Sequence, residues 1–188
     1  MGVEYFEALY HEREDPWDLA TSGYERDKYA VTIAALDGRR YERGLEVGCS
    51  IGTLSERLAG SCGRLLAVDC APTAVARARE RLAHLPGVAV ERRCLPEEMP
   101  DGVFDLIVCS EVLYYWSPGL VREALALLRG ALAPGGSLLA VHWRGPVRHY
   151  PAGGDAVHAI LLEEWADAAR ARHLVRPRYR LDRLDARA

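Results

Sequence analysis

The spacing of apolar residues changes along the chain at about residue 41. Before that point, apolar side chains recur every three or four residues, which predicts amphipathic helices. The first helical stripe, over 3–12, consists of Val3, Phe6 and Tyr10. The second helix is predicted to follow Ser22, because Ser22 and Glu25 have the spacing of a capping box. Its apolar stripe consists of Ala30, Ile33 and Leu36.

From residue 41 onward, short apolar runs alternate with amphipathic segments. This alternation is the pattern of βαβ units, and it predicts a Rossmann-like doubly wound α/β fold: a mostly parallel sheet with helices on both faces and an N-terminal helical cap. The predicted strands are 43–48, 64–69, 88–93, 103–109 and 136–142. The predicted helices are 52–60, 72–84, 118–131 and 155–171. The tail after residue 172 predicts one or two closing strands, and the pattern does not decide between them.

Local signals support these elements. Ser117 and Pro118 are a good helix start, since serine caps a helix and proline is tolerated in its first turn. The tripeptide Pro134-Gly135-Gly136 predicts a turn before the last parallel strand. The apolar stripes of the helices at 72–84 and 118–131 are Val75, Ala78, Leu82 and Leu85, and Val121, Leu125 and Leu128.

Composition narrows the classes of partner. The net charge of −3 and pI of about 6.1 argue against a nucleic-acid or membrane-surface partner, which would need a clustered basic excess. The chain has no apolar run long enough to span a membrane, and its first residues do not resemble a signal peptide, so a cytoplasmic location is expected.

The five cysteines form no C-x-x-C pair, which favours free thiols. Cys49, Cys70, Cys94 and Cys109 fall at predicted strand ends, but no metal site is predicted.

The stretch LEVGCSIGT at 45–53 is the strongest indication of a ligand site. It leads from an apolar strand into a glycine-containing turn, and ligands of doubly wound sheets bind at the carboxyl ends of the strands. A dinucleotide fingerprint needs glycines at its first, third and sixth positions, but these positions hold Gly48, Ser50 and Thr53. Downstream, Asp69 ends the next predicted strand, where a carboxylate can accept hydrogen bonds from ribose hydroxyls; the alternative is an ordinary strand-end aspartate.

Four segments in order resemble class I S-adenosylmethionine-dependent methyltransferases. They are LEVGCSIGTLSERL, LLAVDCAP, FDLIVCSEVLYYW and LAPGGSLLAVHW, within about 41–143. The segments DPWD, SGYERDKY, SEVLYYW and HWRGPVRHYPAGGDAVH are similar to the nodulation protein S type, which resembles N-methyltransferases of amino sugars. At 188 residues the chain is most simply one domain. It is expected to comprise a helical cap at 1–40, a cofactor-binding core at 41–145, and a lid helix with one or two closing strands at 146–188. The resemblance implies S-adenosyl-L-methionine as cofactor, S-adenosyl-L-homocysteine as product, and a monomer or homodimer acting on a small molecule.

The resemblance implies the residues that bind the cofactor. Glu46 and the glycine turn would hold the methionine part, Asp69 the ribose, and Ser110 would lie near the methyl group. The adenine amino group usually meets an acidic residue, but the matching position is Cys94. The backbone at Leu95, or else the glutamates Glu97 and Glu98, would substitute. The full implied set is Trp17, Glu46, Gly48, Cys49, Gly52, Thr53, Asp69, Cys94, Leu95 and Ser110.

Other residues are candidates for acceptor binding and catalysis. Glu111 would pair with an amine substrate or with the cofactor ammonium, or else it is a helix-start carboxylate. His142 is the best general-base candidate because histidine titrates near neutral pH; the alternative is a structural histidine satisfied by backbone. Aromatic rings attract cations, although simple packing is their commoner role. The implied substrate-binding residues are Tyr24, Tyr114, Tyr115, Trp143 and Arg144; His149, His158 and Arg148 are weaker candidates.

The function predicted on these grounds is direct methyl transfer to a small-molecule amine, with an amino sugar as one option. Three alternatives stay open. The first is a small-molecule O-methyltransferase that uses His142 as its base. The second is an NAD(P)-dependent oxidoreductase, which would share the fold and Asp69. The third is a non-catalytic protein that binds the cofactor and interacts with a partner.

Overall fold

The computed structural model describes residues 1–147, 149–168 and 170–188. Contacts between residues group the chain into two compact units, Met1–Cys94 and Leu95–Ala188. Each unit is described by itself. The expected division of a single domain into cap, core and lid stays a prediction.

The first unit contains four helices and three parallel strands. The helices are α1 (Val3–Glu12), α2 (Gly23–Ala34), α3 (Thr53–Leu58, followed by a 3₁₀ turn, Ala59–Ser61) and α4 (Pro72–Leu82). The strands are β1 (Tyr41–Val47), β2 (Cys62–Asp69) and β3 (Val88–Arg92). β2 lies between β1 and β3 and is parallel to both. Each predicted element of this unit is therefore confirmed, with its ends shifted by a few residues.

The core of the first unit follows the predicted apolar pattern. Leu45 and Val47 of β1, and Ala67 and Val68 of β2, are buried. The predicted stripe of α4 is buried at Val75, Ala78 and Leu82, and Leu85 packs beside it. Strands that are buried along most of their length have nearly continuous apolar sequences. For this reason the apolar pattern predicted their positions.

The predicted apolar stripe of α2 is confirmed only at Leu36, which follows the helix and is buried, whereas its cap is confirmed. Ser22 accepts a hydrogen bond from the Glu25 amide, as the capping-box spacing predicted. Ala30 is exposed, however, and the buried face of the helix is largely polar. Its members are Glu25, Lys28, Tyr29 and Thr32. This face can be buried because Lys28 Nζ lies 2.9 and 2.8 Å from the two carboxylate oxygens of Glu25, so the charges are paired.

The second unit contains two helices and four strands. The helices are α5 (Pro118–Gly130) and α6 (Gly154–Glu164), and a 3₁₀ turn spans Leu113–Tyr115. The strands are β4 (Phe104–Ser110), β5 (Leu132–Trp143), β6 (Arg170–Val175) and β7 (Tyr179–Asp185). β4 and β5 are parallel, whereas β7 is antiparallel to both β5 and β6. The tail therefore forms two closing strands. The mostly parallel α/β fold class is confirmed.

Two predictions in the second unit need correction. Pro134-Gly135-Gly136 is not a turn before β5 but part of it. The pairing with β4 jumps from Leu132 to Ser137, and Gly135 has a φ of 67°, so the glycines form a bulge inside a longer strand. Helix α6 ends at Glu164 rather than at 171, because the chain from Arg170 pairs with β7 as a strand. Ala169, at the predicted end of this helix, lies outside the described residues.

The helices of the described ranges are too short or too polar to cross a membrane.

Lys28→Met tests the buried ion pair of α2. We expect this change to lower the free energy of unfolding by about 3 kcal/mol, because it removes the ammonium group that neutralises the buried Glu25 carboxylate. Chemical denaturation measures the loss. Arg26→Met on the exposed face of the same helix is the control and should cost less than about 0.5 kcal/mol. The double change Glu25→Leu and Lys28→Met should recover much of the loss. A cost for Lys28→Met no larger than that of the control would contradict the role of the pair.

Candidate functional site

The predicted site residues fall into both units, and each set is described within its own unit. The first unit holds the candidates Trp17, Tyr24, Glu46, Gly48, Cys49, Gly52, Thr53, Asp69 and Cys94. The second holds the candidates Leu95, Ser110, Glu111, Tyr114, Tyr115, His142, Trp143 and Arg144.

The turn after β1 bends sharply through three left-handed residues. Gly48, Ser50 and Gly52 have φ values of 74°, 52° and 80°. A positive φ costs glycine little, but it is uncommon for serine. Ser50 is held by bonds from outside the turn, since its amide donates to Asp69 Oδ2 over 2.9 Å and its hydroxyl bonds the Tyr10 hydroxyl. Neighbouring groups therefore fix the strained residue.

Gly52 has a packing role that the sequence did not suggest. The prediction that this glycine lets backbone approach a ligand stays a prediction. A Cβ at this position would lie 3.0 Å from Leu82 Cδ1 and 3.3 Å from Ala78 Cβ, both in α4. Gly52 is therefore needed for its positive φ and for close contact between the start of α3 and α4.

Asp69 connects the turns that follow β1 and β2. Its Oδ2 accepts from the Ser50 amide and its Oδ1 accepts from the Ala71 amide, each over 2.9 Å. Burial raises the pKa of Asp69, and these backbone donors oppose the rise. An ionised carboxylate has about four acceptor positions. The amides of Ser50, Ala71 and Cys70 use up to three of those positions, so Asp69 retains capacity for at least one ribose hydroxyl.

Glu46 is a buried carboxyl group on β1 with only 2% of its surface exposed. Its Oε2 has no hydrogen-bond partner among the described residues. Burial raises the pKa of Glu46 to about 8, with Ser55 lowering it and Asp69 raising it. A buried carboxyl group with an unused oxygen suits a cationic ligand group, because an opposite charge favours its ionised form.

Tyr10 is a residue of this site that sequence reasoning missed. Its hydroxyl bonds Ser50, and its ring makes an edge contact with Trp17 at 5.6 Å between centroids. Burial, followed by the charge of Asp69, raises the pKa of Tyr10. It packs in an apolar cluster with Phe6, Trp17, Ile51, Ala71 and Ala74. In the sequence, Tyr10 was indistinguishable from an ordinary apolar position of α1.

Helix α1 is also joined to the start of α4. Glu7 accepts hydrogen bonds from the amide and the hydroxyl of Thr73. Arg77 donates to the carbonyl oxygens of Tyr10 and Glu14 over 3.0 and 2.8 Å. The N-terminal helix is thus held beside the Asp69 turn through polar contacts as well as apolar ones.

The remaining candidates of the first unit have mixed surroundings. Cys94 Sγ accepts from Arg92 Nη1 over 3.0 Å, and Cys49 is buried, which raises the pKa of its thiol. The Tyr24 ring lies 5.2 Å from Lys28 Nζ. Thr53 is the first residue of α3, and its Oγ1 is buried without a hydrogen-bond partner among the described residues.

In the second unit, Glu111 joins the ends of β4 and β5. It follows Ser110 directly and has a φ of 55°, again left-handed in a residue with a side chain. Its amide donates to Val141 over 2.8 Å, and its Oε2 accepts from the Trp143 amide over 2.8 Å. The alternative of a helix-start carboxylate is not supported, since α5 begins at Pro118 with Ser117 as its cap.

The aromatic candidates form a packed group. The Tyr114 ring stacks on Tyr150 at 5.3 Å, and Tyr115 contacts both rings. Tyr114 and Tyr115 are only 5% and 6% exposed, so little of either side chain remains for a substrate. The Tyr114 hydroxyl donates to Glu111 Oε2 over 2.7 Å. Simple packing, the alternative considered for these rings, therefore describes most of their contacts.

The surroundings of His142 argue against its role as a general base. Its side chain is fully buried. Its Nε2 accepts from the Leu113 amide over 3.1 Å, and its Nδ1 bonds His158 Nε2 over 3.1 Å. A base needs a free lone pair within reach of the substrate proton, and both ring nitrogens are already engaged. His142 matches the alternative of a histidine satisfied by backbone.

Arg144 is committed to other partners. Its Nε lies 2.8 and 3.0 Å from the two carboxylate oxygens of Asp155, and its Nη1 donates to the Arg176 carbonyl. The guanidinium holds the pKa of the Asp155 carboxyl below its usual range. Arg148, the other candidate for an anionic group, lies outside the described residues, and His149 is exposed.

Two other features bear on possible ligands. Leu95 is buried, whereas Glu97 and Glu98, its alternatives for adenine binding, are exposed. Within the described ranges, no three His, Cys, Asp or Glu side chains are arranged to hold a metal ion.

Comparison with known proteins places the chain in a family. The model of the family described as nodulation protein S (NodS) matches residues 8–164. Nodulation protein S of Sinorhizobium fredii NGR234 is 33% identical over 144 residues, or 73% of this chain and 65% of that protein. The chain therefore spans slightly less than two thirds of that curated relative.

Solved structures share the fold. The N-methyltransferase NodS of Bradyrhizobium japonicum WM9, in complex with S-adenosyl-L-homocysteine, superposes with a TM-score of 0.85 at 27% identity, covering 98% of this chain and 97% of that one. A putative methyltransferase of Pseudomonas syringae has a TM-score of 0.77 at 39% identity, covering 87% and 99%. The family model and these likenesses agree: the chain belongs to the nodulation protein S family.

Proposed function

We propose that the protein is an S-adenosylmethionine-dependent methyltransferase acting on a small-molecule amine. The observation that carries this proposal is the contact between Asp69 and the strained Ser50 turn, beside the buried Glu46. It brings a ribose acceptor and an ammonium partner to the ends of neighbouring strands. Membership of the family, and a relative described as an N-methyltransferase in complex with S-adenosyl-L-homocysteine, support it.

The residues of the first unit fit the cofactor at its methionine and ribose ends. The unused oxygen of Glu46 suits the ammonium group, and the remaining acceptor capacity of Asp69 suits a ribose hydroxyl. Cys94 is a poorer acceptor than a carboxylate, so the adenine amino group would be held by other groups. When bound, the cofactor supplies an electrophilic methyl group to a nucleophile on the acceptor.

An amine acceptor agrees best with the second unit. The acceptor nitrogen would form the new N–C bond while the C–S bond breaks and its electron pair remains on sulfur. A hydroxyl acceptor would need a base, and His142 has both ring nitrogens in hydrogen bonds. A neutral amine needs only alignment and desolvation, which can remove roughly 7–11 kcal/mol of barrier. Glu111, with Tyr114 beside it, is the acidic group best suited to orient an amine.

Asp69→Asn tests the ribose assignment. We expect at least a roughly tenfold weaker affinity for S-adenosyl-L-homocysteine, or about 1.4 kcal/mol, because the amide removes one acceptor for the ribose. Isothermal titration calorimetry measures the change. Asp27→Asn, an exposed aspartate of α2, is the matched control and should bind like the unaltered protein. Equal affinity in the two variants would remove Asp69 from the site.

Glu46 predicts that cofactor binding releases a proton. With a pKa of about 8, Glu46 is mostly protonated at pH 7, and pairing with an ammonium would ionise it. Calorimetry in buffers with different ionisation enthalpies should detect release of up to one proton at pH 7 and much less at pH 9. Glu46→Gln should abolish the release. Buffer-independent binding enthalpies in the unaltered protein would contradict the assignment.

The same pKa makes a prediction for stability. Because the pKa of Glu46 is higher in the folded state than its ordinary value of 4.5, the folded state binds the extra proton between these values. The contribution of Glu46 is therefore fully present below about pH 4.5 and is lost as the pH rises through about 8. Denaturation between pH 5 and 9 should show stability falling less steeply in Glu46→Gln. Identical pH profiles would refute this.

The acceptor class is tested with labelled cofactor. Purified protein with S-adenosylmethionine carrying a deuterated methyl group is offered matched pairs of amino and hydroxyl compounds, including amino sugars. Mass spectrometry should find the label on nitrogen. Label found only on oxygen would favour the O-methyltransferase alternative instead.

A further inference from the structure

A chain of buried hydrogen bonds runs through the second unit. His142 on β5, His158 on α6 and Asp182 on β7 are all fully buried. The Leu113 amide donates to His142 Nε2, His142 Nδ1 bonds His158 Nε2, and His158 Nδ1 bonds Asp182 Oδ2. The three distances are 3.1, 3.1 and 2.6 Å.

The directions of these bonds fix both histidine tautomers. A backbone N–H can only donate, so His142 Nε2 must present a lone pair and Nδ1 must carry the proton. His158 Nε2 must then accept from His142, which leaves the His158 proton on Nδ1, where it meets the carboxylate. One assignment of two neutral rings satisfies every bond, and a second proton on either ring would break one of them.

Asp182 stays a hydrogen-bond acceptor because a second N–H donor and a positive charge lie beside it. His173 Nδ1 lies 2.8 Å from its Oδ1, and Arg180 Nε lies 2.9 Å from its Oδ2. Burial acts to raise the pKa of Asp182, but the hydrogen bonds from His158 and His173 and the charge of Arg180 lower it overall. The carboxylate is therefore ionised and acts as an acceptor at the end of the chain.

The other end of this chain holds the segment that contains Glu111. Leu113 is 1% exposed, so without His142 its amide would be buried and unpaired, at a cost of about 1–3 kcal/mol. The Tyr114 ring, whose hydroxyl bonds Glu111, also makes an edge contact with His142 at 5.3 Å. The left-handed backbone of Glu111 persists only if its surroundings hold it there.

We propose that Asp182 and His158 are positioning residues, which act through the tautomer of His142 to hold residues 111–115 in place for methyl transfer. The role in transfer rests on the proposed function; the tautomer chain does not. Neither residue touches the reacting atoms in this scheme. His142 thereby has a part in the reaction, but as an acceptor for backbone rather than for a substrate proton.

The tautomers are measured first, in the unaltered protein. Long-range ¹H–¹⁵N spectra of protein labelled at histidine nitrogens distinguish a proton on Nδ1 from one on Nε2. At pH 7.5 both His142 and His158 should carry it on Nδ1. A proton on Nε2 of either ring, or two protons on either ring, would overturn the proposal whether or not the protein transfers methyl groups.

Variants then test the positioning. His158→Leu removes the acceptor for His142, whereas His158→Gln offers an amide oxygen and an N–H in its place. Hydrogen exchange at the Leu113 amide should be about tenfold or more faster in the leucine variant, and within about threefold of normal in the glutamine variant. His173→Gln, which keeps an N–H donor beside the same carboxylate, is the control and should exchange normally.

Kinetics provide the functional readout. His158→Leu should lower kcat about tenfold or more while its affinity for S-adenosyl-L-homocysteine stays within about twofold, because the cofactor residues of the first unit are untouched. A folded His158→Leu with normal exchange and normal kcat would overturn the proposal. If His158→Leu does not fold, the tautomers and the comparison of His158→Gln with His173→Gln still decide. If the unaltered protein has no transferase activity, the proposed function is wrong. The tautomers and the exchange rates still test the chain of hydrogen bonds.

Discussion

The candidate cofactor site depends on the hydrogen bonds that the Asp69 carboxylate accepts. It accepts the amides of Ser50 and Ala71, and so fastens the turn after β1 to the turn after β2. Ser50 can keep its left-handed backbone only while this bond and that of Tyr10 hold it. The Asp69 carboxylate also retains acceptor capacity for a ligand. The conformation of the turn and the proposed binding of the cofactor therefore depend on the same side chain.

The second unit repeats this principle with different residues. Glu111 is also left-handed, follows the end of a strand, and is held by bonds from β5. Its neighbour Leu113 is held in turn through His142 and His158 to the ionised Asp182. In the first unit a carboxylate on another strand fixes the left-handed Ser50 directly. In the second, a carboxylate acts through two imidazoles on Leu113, two residues after the left-handed Glu111.

What the sequence could predict depended on the range of the interactions. A strand such as β4 was predictable because burial along most of its length leaves an apolar run. The Ser22 cap was predictable because its partners are three residues apart. The buried polar face of α2 was missed because Lys28 looks like a solvent-facing charge until its pairing with Glu25 is seen. The chain to Asp182 was missed because its members lie on β5, α6 and β7, and no local pattern joins them.

Equilibrium binding distinguishes the methyltransferase from its closest rival in fold most directly. Purified protein is titrated in parallel with S-adenosylmethionine and with NADH under the same conditions. The arrangement of Asp69, Ser50 and Glu46 predicts saturable, one-to-one binding of S-adenosylmethionine and no measurable binding of NADH. Saturable binding of NADH without affinity for S-adenosylmethionine would contradict the proposed function.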